Sequence, residues 1–365
     1  MPTPTATPLP VTVHLQPDGG GDYGSLADAV RDAPDEATIV LAAGTYVLKE
    51  TLVIDRPLLL EGAGMDETVV FGPDLAVVAR FTGSGRFGAQ DLTFRSEGDR
   101  SSDVVVADGG DVYFARCRFT GATAGRDAGG AGLLVMGDTT GMIRDSVADF
   151  NDIGIRLTDQ VRPNVEWNLA TDNASAGIAY QENATGIATR NECSHGQIGI
   201  LIEGSANPAI HWNLCTDNSI GGIVYRDDAA GTATDNECVW NGVHGITVAD
   251  HARPELTGNV CTDNGGAGIF YKDDAGGTAS ENETWRNLYG VQLSGRSNPD
   301  IRKNWCVMNE EAGILYADDS GGLAYRNECR DNGKYGLWVA VTASPILDGN
   351  DLYDNQEQDL LDLRP

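Results

Sequence analysis

Between residues 145 and 355 the apolar and polar positions of the chain recur every 22 or 23 residues. A Gly-aliphatic pair marks each repeat, at Gly154-Ile155, Gly177-Ile178, Gly199-Ile200, Gly222-Ile223, Gly245-Ile246, Gly268-Ile269, Gly290-Val291, Gly313-Ile314 and Gly336-Leu337. At a fixed offset stands a polar column, Asn168, Asn191, Asn213, Asn236, Asn259, Asn282, Asn304 and Asn327, and in most repeats a second Asn follows five residues later. Six of the seven cysteines fall two residues after the first Asn. Repeats with proline (Pro163, Pro208, Pro254, Pro299, Pro345) alternate with repeats carrying glycine (Gly186, Gly231, Gly277, Gly322), a double unit of 45 or 46 residues. A period of this length with short apolar runs predicts an all-β solenoid, a single-stranded right-handed parallel β-helix of about a dozen coils.

In such a solenoid equivalent residues stack at about 4.8 Å, so each sequence column becomes a straight ladder. An inward Asn ladder lets side-chain amides bond one another and penalises register slips, because an unpaired buried amide costs about 1–3 kcal/mol. The Ile and Cys columns read as apolar interior, the thiols acting as small hydrophobes. Parallel Cβ vectors suit a disulfide poorly, and cysteines a full coil apart lack the close spacing of a zinc site.

Residues 25–33 form the one helical pattern, with Leu26, Ala29, Val30 and Ala33 as its apolar stripe and Ser25 as N-cap, placed to close the N-terminal end of the solenoid. At the other end no comparable cap is visible. The predicted organisation is a Pro/Thr-rich linker over 1–10 followed by one β-helix domain over 11–365. The linker suggests a piece of a larger, extracellular or cell-surface protein; no secretory signal follows Met1 and no apolar run reaches transmembrane length.

Fifty-four acidic against 25 basic residues leave a net charge of -29. That balance argues against nucleic acid, whose binding needs phosphate neutralisation, and against an anionic membrane surface or unaided polyuronate binding. Two columns carry the candidate chemistry. Five residues after the repeat Gly stand Asp159, Glu182, Asp227, Asp250, Asp273 and Asp318; Asp227, Asp250 and Asp273 occupy consecutive coils, where stacked carboxylates would tolerate solvent or hold Ca²⁺. Two residues after the Gly, Val224, Phe270, Leu315 and Trp338 should point outward and form an apolar contact stripe, open to a protein partner or to self-association through the C-terminal half.

Residues 16–72 resemble the N-terminal part of pectin methylesterases, through Asp18-Gly19-Gly20-Gly21-Asp22-Tyr23, Ala43-Gly44-Thr45-Tyr46 and Leu60-Glu61-Gly62-Ala63-Gly64. The likeness extends through Val112 to Gly121, but where that family continues Tyr-Gln-Asp-Thr-Leu this chain reads Ala122-Thr123-Ala124-Gly125, and the expected glutamine is replaced by Ser102 or Asp103. The resemblance implies the fold and withholds the esterase activity. Residues 145–355 are similar to carbohydrate-binding and sugar-hydrolase β-helix repeats, which also form the substrate-binding part of F-box-only ubiquitin-ligase subunits; the carrying residues include Asn207 to Asn213 and Gly221 to Asp228. Together these imply a non-catalytic recognition or scaffold module binding a protein or carbohydrate. The alternative is a carbohydrate-active lyase, hydrolase or epimerase using surface carboxylates. No cofactor is required by either reading.

Overall fold

The computed structural model describes residues 11–98, 103–122 and 130–365. The Pro/Thr segment, Ser102 and positions 123–125 of the missing esterase motif lie outside the described residues. Every ladder between named strands is parallel, and the strands stack into two sheets. One has 14 strands, from Leu52–Ile54 to Gln358–Asp362, and contains all the Gly-aliphatic pairs of the repeat region. The other has 27 strands and bends at the Asn column, so each regular coil shows three faces. In one coil these are Gly221–Tyr225 (face one), Thr232–Thr234 (face two) and Glu237–Val239 (face three).

The solenoid is longer than the dozen coils expected. Strands Leu52–Ile54, Val77–Thr82, Asp103–Asp108 and Ala131–Met136 extend face one upstream of residue 145. Their intervening turns vary in length, so no fixed spacing marks them in the sequence.

The first polar ladder is closed from Asn168 to Asn350, and the second is broken once, at Gly196 between Asn173 and Asn218. The Asn236 Oδ1 accepts from the Asn213 backbone N–H (3.0 Å) and from the Asn213 Nδ2 (2.9 Å). Its own Nδ2 donates to the Ile210 carbonyl (2.9 Å) and to the Asn259 Oδ1 (2.9 Å). The second ladder repeats this arrangement through Asn218, Asn241 and Asn264. Cys193, Cys215, Cys238 and Cys261 stack in register; Thr284 interrupts them before Cys306 and Cys329. All seven cysteines are free and buried, and burial pushes the Cys117 thiol up to about 12. Four tyrosines, Tyr180, Tyr225, Tyr271 and Tyr316, alternate with aliphatic residues in the core, and their hydroxyls have no hydrogen-bond partner.

The helix spans Leu26–Asp32, where the Ser25 hydroxyl accepts from the Asp28 N–H at 3.1 Å and Leu26, Ala29 and Val30 are buried. No helix among the described residues is long and apolar enough to cross a membrane.

Each coil turns its corners with single left-handed residues, and this device shapes the surface. The residue before each ladder Asn has positive φ: Trp167, Arg190, Trp212, Asp235, Gly258, Glu281, Lys303, Arg326 and Gly349; Asp145, before Ser146 at the start of the column, has it too. Asp and Gly adopt that conformation at low cost, whereas a bulky side chain there costs roughly 1–2 kcal/mol.

Candidate functional site

The acidic column lies at another left-handed corner. Asp227, Asp250, Asp273 and Asp318 have φ between 53° and 59°. Each carboxylate turns along the stack to accept a backbone N–H of the preceding coil: Asp227 from Gly204 (3.0 Å), Asp250 from Asp227 (3.0 Å), Asp273 from Asp250 (3.5 Å) and Asp318 from Gly295 (3.0 Å). The column is thus a run of turn caps. The carboxylates do not converge, and among the described residues no group of three or more His, Cys, Asp or Glu side chains is placed to hold a metal.

Val224, Phe270, Leu315 and Trp338 do share the outer side of face one, but they do not make the open apolar stripe expected. Val224 is 9% and Leu315 6% exposed, and Phe270 and Trp338 are half-buried. Neighbouring columns close over them. The His244 ring lies 4.5 Å from Phe270 and the Tyr335 ring 5.4 Å from Trp338. Further along the same face, Arg156, Gln181, Glu203 and Arg226 link end to end beside Ala179 and Leu201.

His244 itself replaces a rung of the sheet. Its Nδ1 accepts the Ala267 N–H at 2.9 Å, and burial, with the charge of Lys272 acting in the same direction, lowers its pKa to about 4. The ring is neutral at pH 7, with its proton on Nε2.

The exposed aromatic surface lies elsewhere. Five of the six tryptophans (Trp167, Trp212, Trp240, Trp285 and Trp305) belong to face three or its two bordering corners. Trp167, Trp212, Trp240 and Trp305 are 53%, 54%, 63% and 42% exposed. Trp167, Trp212 and Trp240 are held at φ of 56°, 51° and 53°. The coil corner imposes this conformation, as it does on Arg190, Arg286, Lys303, Met308 and Arg326, and it turns the indoles out into solvent.

Trp167 and Trp212 stand two coils apart, about 9.6 Å along the axis. Between them the exposed Arg190 guanidinium carbon lies 5.1 Å from each indole centroid. The three side chains wall a cleft of about 620 Å³, whose floor includes Leu169, Glu192 and Leu214. Across the same three coils the opposite corner carries Asp172, His195 and Asp217 around a second depression of about 640 Å³. Thr171 Oγ1 donates to Asp172 and lies 3.4 Å from the His195 Nδ1. Further along face three, Trp285 and Trp305 line a pocket of about 300 Å³ with Met308, Glu283 and Arg330, and the Arg286 guanidinium lies 3.8 Å from the Trp285 ring centroid.

Sequence reasoning passed over these residues because the strongest signals were the inward columns. The available signal was position: tryptophan immediately before the ladder Asn, in a slot otherwise suited to Asp or Gly.

The structure is similar to several solved β-helices. The A-module of mannuronan C-5 epimerase AlgE6 from Azotobacter vinelandii superposes with a TM-score of 0.57 at 17% identity, covering 93% of each chain. The periplasmic alginate epimerase AlgG gives 0.59 at 14% identity, over 95% of this chain and 83% of that one. The Dettilon tailspike protein gives 0.57 at 16%, over 92% and 68%. At these identities the likeness is one of fold. No curated protein sequence matches this chain. The sequence model of the right-handed β-helix region matches residues 78–233 and 199–356, and with the parallel coils and paired Asn ladders this places the chain in the right-handed β-helix family.

Proposed function

We propose that this solenoid is a recognition module that binds an extended carbohydrate chain along face three. The observation that carries the reading is the strained, exposed pair Trp167 and Trp212 braced by Arg190. Indole rings give sugars a large rigid apolar surface at little entropic cost, and the adjacent Arg and Glu side chains supply hydrogen bonds to hydroxyls. One coil advances about 4.8 Å, comparable with one pyranose unit of an extended chain, so a glycan lying along the axis meets equivalent positions coil after coil. From Trp167 to Trp305 is six coils, or about 29 Å. The structural neighbours named as alginate epimerases are carbohydrate-acting, which is in keeping with this reading.

The test is affinity electrophoresis against a panel of soluble polysaccharides. Retardation of the wild-type chain by at least one of them, lost in Trp167→Ala/Trp212→Ala with unchanged circular dichroism, supports the reading. No retardation by any polysaccharide, or retention by the double variant, refutes it.

Hydrolysis is a second reading with an observation of its own. Asp172 and Asp217 flank His195 at a backbone separation of about 9.6 Å, and carboxyls leaning towards each other from there reach the roughly 6.5–9.5 Å used by inverting glycosidases. Release of reducing ends by wild type but not by Asp172→Asn or Asp217→Asn is the expected sign of it. Absence of reducing ends from every bound glycan leaves the module non-catalytic.

A further inference from the structure

We infer that the ligand of face three is a neutral, β-1,4-linked hexose chain in a flat two-fold conformation. This rests on the face-three reading above and adds the substrate class. The outward column of face three alternates with a period of two coils: Glu192, Glu237 and Glu283 alternate with Leu169, Leu214 and Val260, and Trp305 takes the next apolar place. The three Glu are exposed and form no ion pair among the described residues. Face three therefore presents an apolar rung, then an unpaired carboxylate, every two coils, or about 9.6 Å.

A ligand complementary to that pattern must itself repeat every second unit. In a two-fold β-1,4 chain successive rings turn over, so one edge shows a hydroxymethyl group and then ring hydroxyls alternately, while the ring faces stay apolar. Hydroxyl donors on every second ring can meet Glu192, Glu237 and Glu283, and the intervening rings can lie over Leu169, Leu214 and Val260. An α-1,4 chain curves away from a straight ladder and keeps neither the direction nor the two-unit period. A two-fold polyuronate carries a carboxylate on each ring, every second one on the edge towards the Glu column, and meets a chain of net charge -29; like charges at such spacing repel, and interfaces exclude wrong partners in this way. Of the cations bordering face three, Arg286 is held by Asp263, Lys303 by Glu281 and Arg330 by Glu328 and Asp331, and Arg190 with Arg326 does not offset a carboxylate on every ring.

Titration calorimetry separates the possibilities, using mannohexaose and cellohexaose (β-1,4, neutral), maltohexaose (α-1,4, neutral) and hexamannuronate (β-1,4, anionic) at low salt. The expected result is binding of the neutral β-1,4 hexamers at least tenfold tighter than of the other two. Glu192→Gln/Glu237→Gln should weaken mannohexaose binding, because the amides are poorer acceptors, and narrow the discrimination against hexamannuronate. Equal or tighter binding of hexamannuronate or maltohexaose, or indifference to the Glu substitutions, overturns the inference and leaves carbohydrate binding intact. Failure of all four hexamers and of the wider polysaccharide panel overturns both.

Discussion

His244 makes face one acid-sensitive at a single rung. In the folded chain its Nδ1 accepts the Ala267 N–H and its ring lies against Phe270, 4.5 Å between centroids. Burial and the nearby Lys272 lower its pKa from 6.5 to about 4. A base whose folded pKa lies below its unfolded value binds more protons when unfolded between those two values. Its contribution is therefore fully present above about pH 6.5, falls as the pH drops towards 4, and changes no further below that. The whole shift, about 2.5 units at 1.36 kcal/mol each, would be worth roughly 3 kcal/mol, of which about 2.4 falls between pH 7 and 4.5. Partial solvent access reduces this to about 2 kcal/mol. The comparison is urea unfolding of wild type and His244→Asn at pH 7.0 and 4.5. The Asn Oδ1 can take the place of Nδ1 as acceptor for Ala267 but does not titrate. Carboxylates elsewhere act equally in both chains, so the difference between them isolates His244. The wild type should lose about 2 kcal/mol more than the variant. Parallel pH dependence of the two chains, or a His244 resonance titrating near pH 6.5, refutes the reasoning.

Asn236→Leu should cost about 3 kcal/mol in chemical unfolding, because it leaves the Asn213 backbone N–H buried without an acceptor and the Ile210 carbonyl without its side-chain donor, while the Asn213 Nδ2 keeps only the Ala188 and His211 carbonyls; a loss under 1 kcal/mol would contradict the closed ladder. Trp167→Asn and Trp212→Asn should each raise stability by about 1 kcal/mol, since Asn suits the left-handed corner, while abolishing glycan binding; destabilisation would show that the indoles serve the fold. Tyr225→Phe removes a buried hydroxyl that has no partner and should be neutral or stabilising by up to about 1 kcal/mol; a clear loss of stability would reveal a bonded water in the core. Asp250→Ala should cost about 1 kcal/mol through the lost cap on the Asp227 N–H, with melting curves the same in millimolar calcium and in chelator; stabilisation by calcium in the wild type alone would restore a cation site at Asp227, Asp250 and Asp273.

The solenoid was legible in the chain because its contacts join residues one period apart. A parallel ladder turns each column into a row of like neighbours, so the columns of Asn236, Cys238 and Ile246 specify period, register and inward face without knowledge of the whole. The helix at Leu26–Asp32 was equally local, written in its cap and apolar stripe. Coils upstream of residue 145 were expected within the domain but could not be counted, since their turns differ in length while their strands still stack.

The surface was another matter. Sequence alternation correctly placed Val224, Phe270, Leu315 and Trp338 on an outer face, but exposure depends on side chains from neighbouring columns, and His244 and Tyr335 cover part of what alternation leaves open. The spacing of Asp227, Asp250 and Asp273 was likewise read correctly, whereas the direction of each carboxylate, along the stack to a backbone N–H, follows from left-handed corner geometry. Trp167, Arg190 and Trp212 lie 22 or 23 residues apart in the chain and become a braced aromatic cleft only through stacking. Periodicity alone thus determined which residues face the core and in what register. Which exposed residues share a cleft, and which are covered, was decided by the third dimension, because side chains meet across coils and corners at distances that no single column encodes.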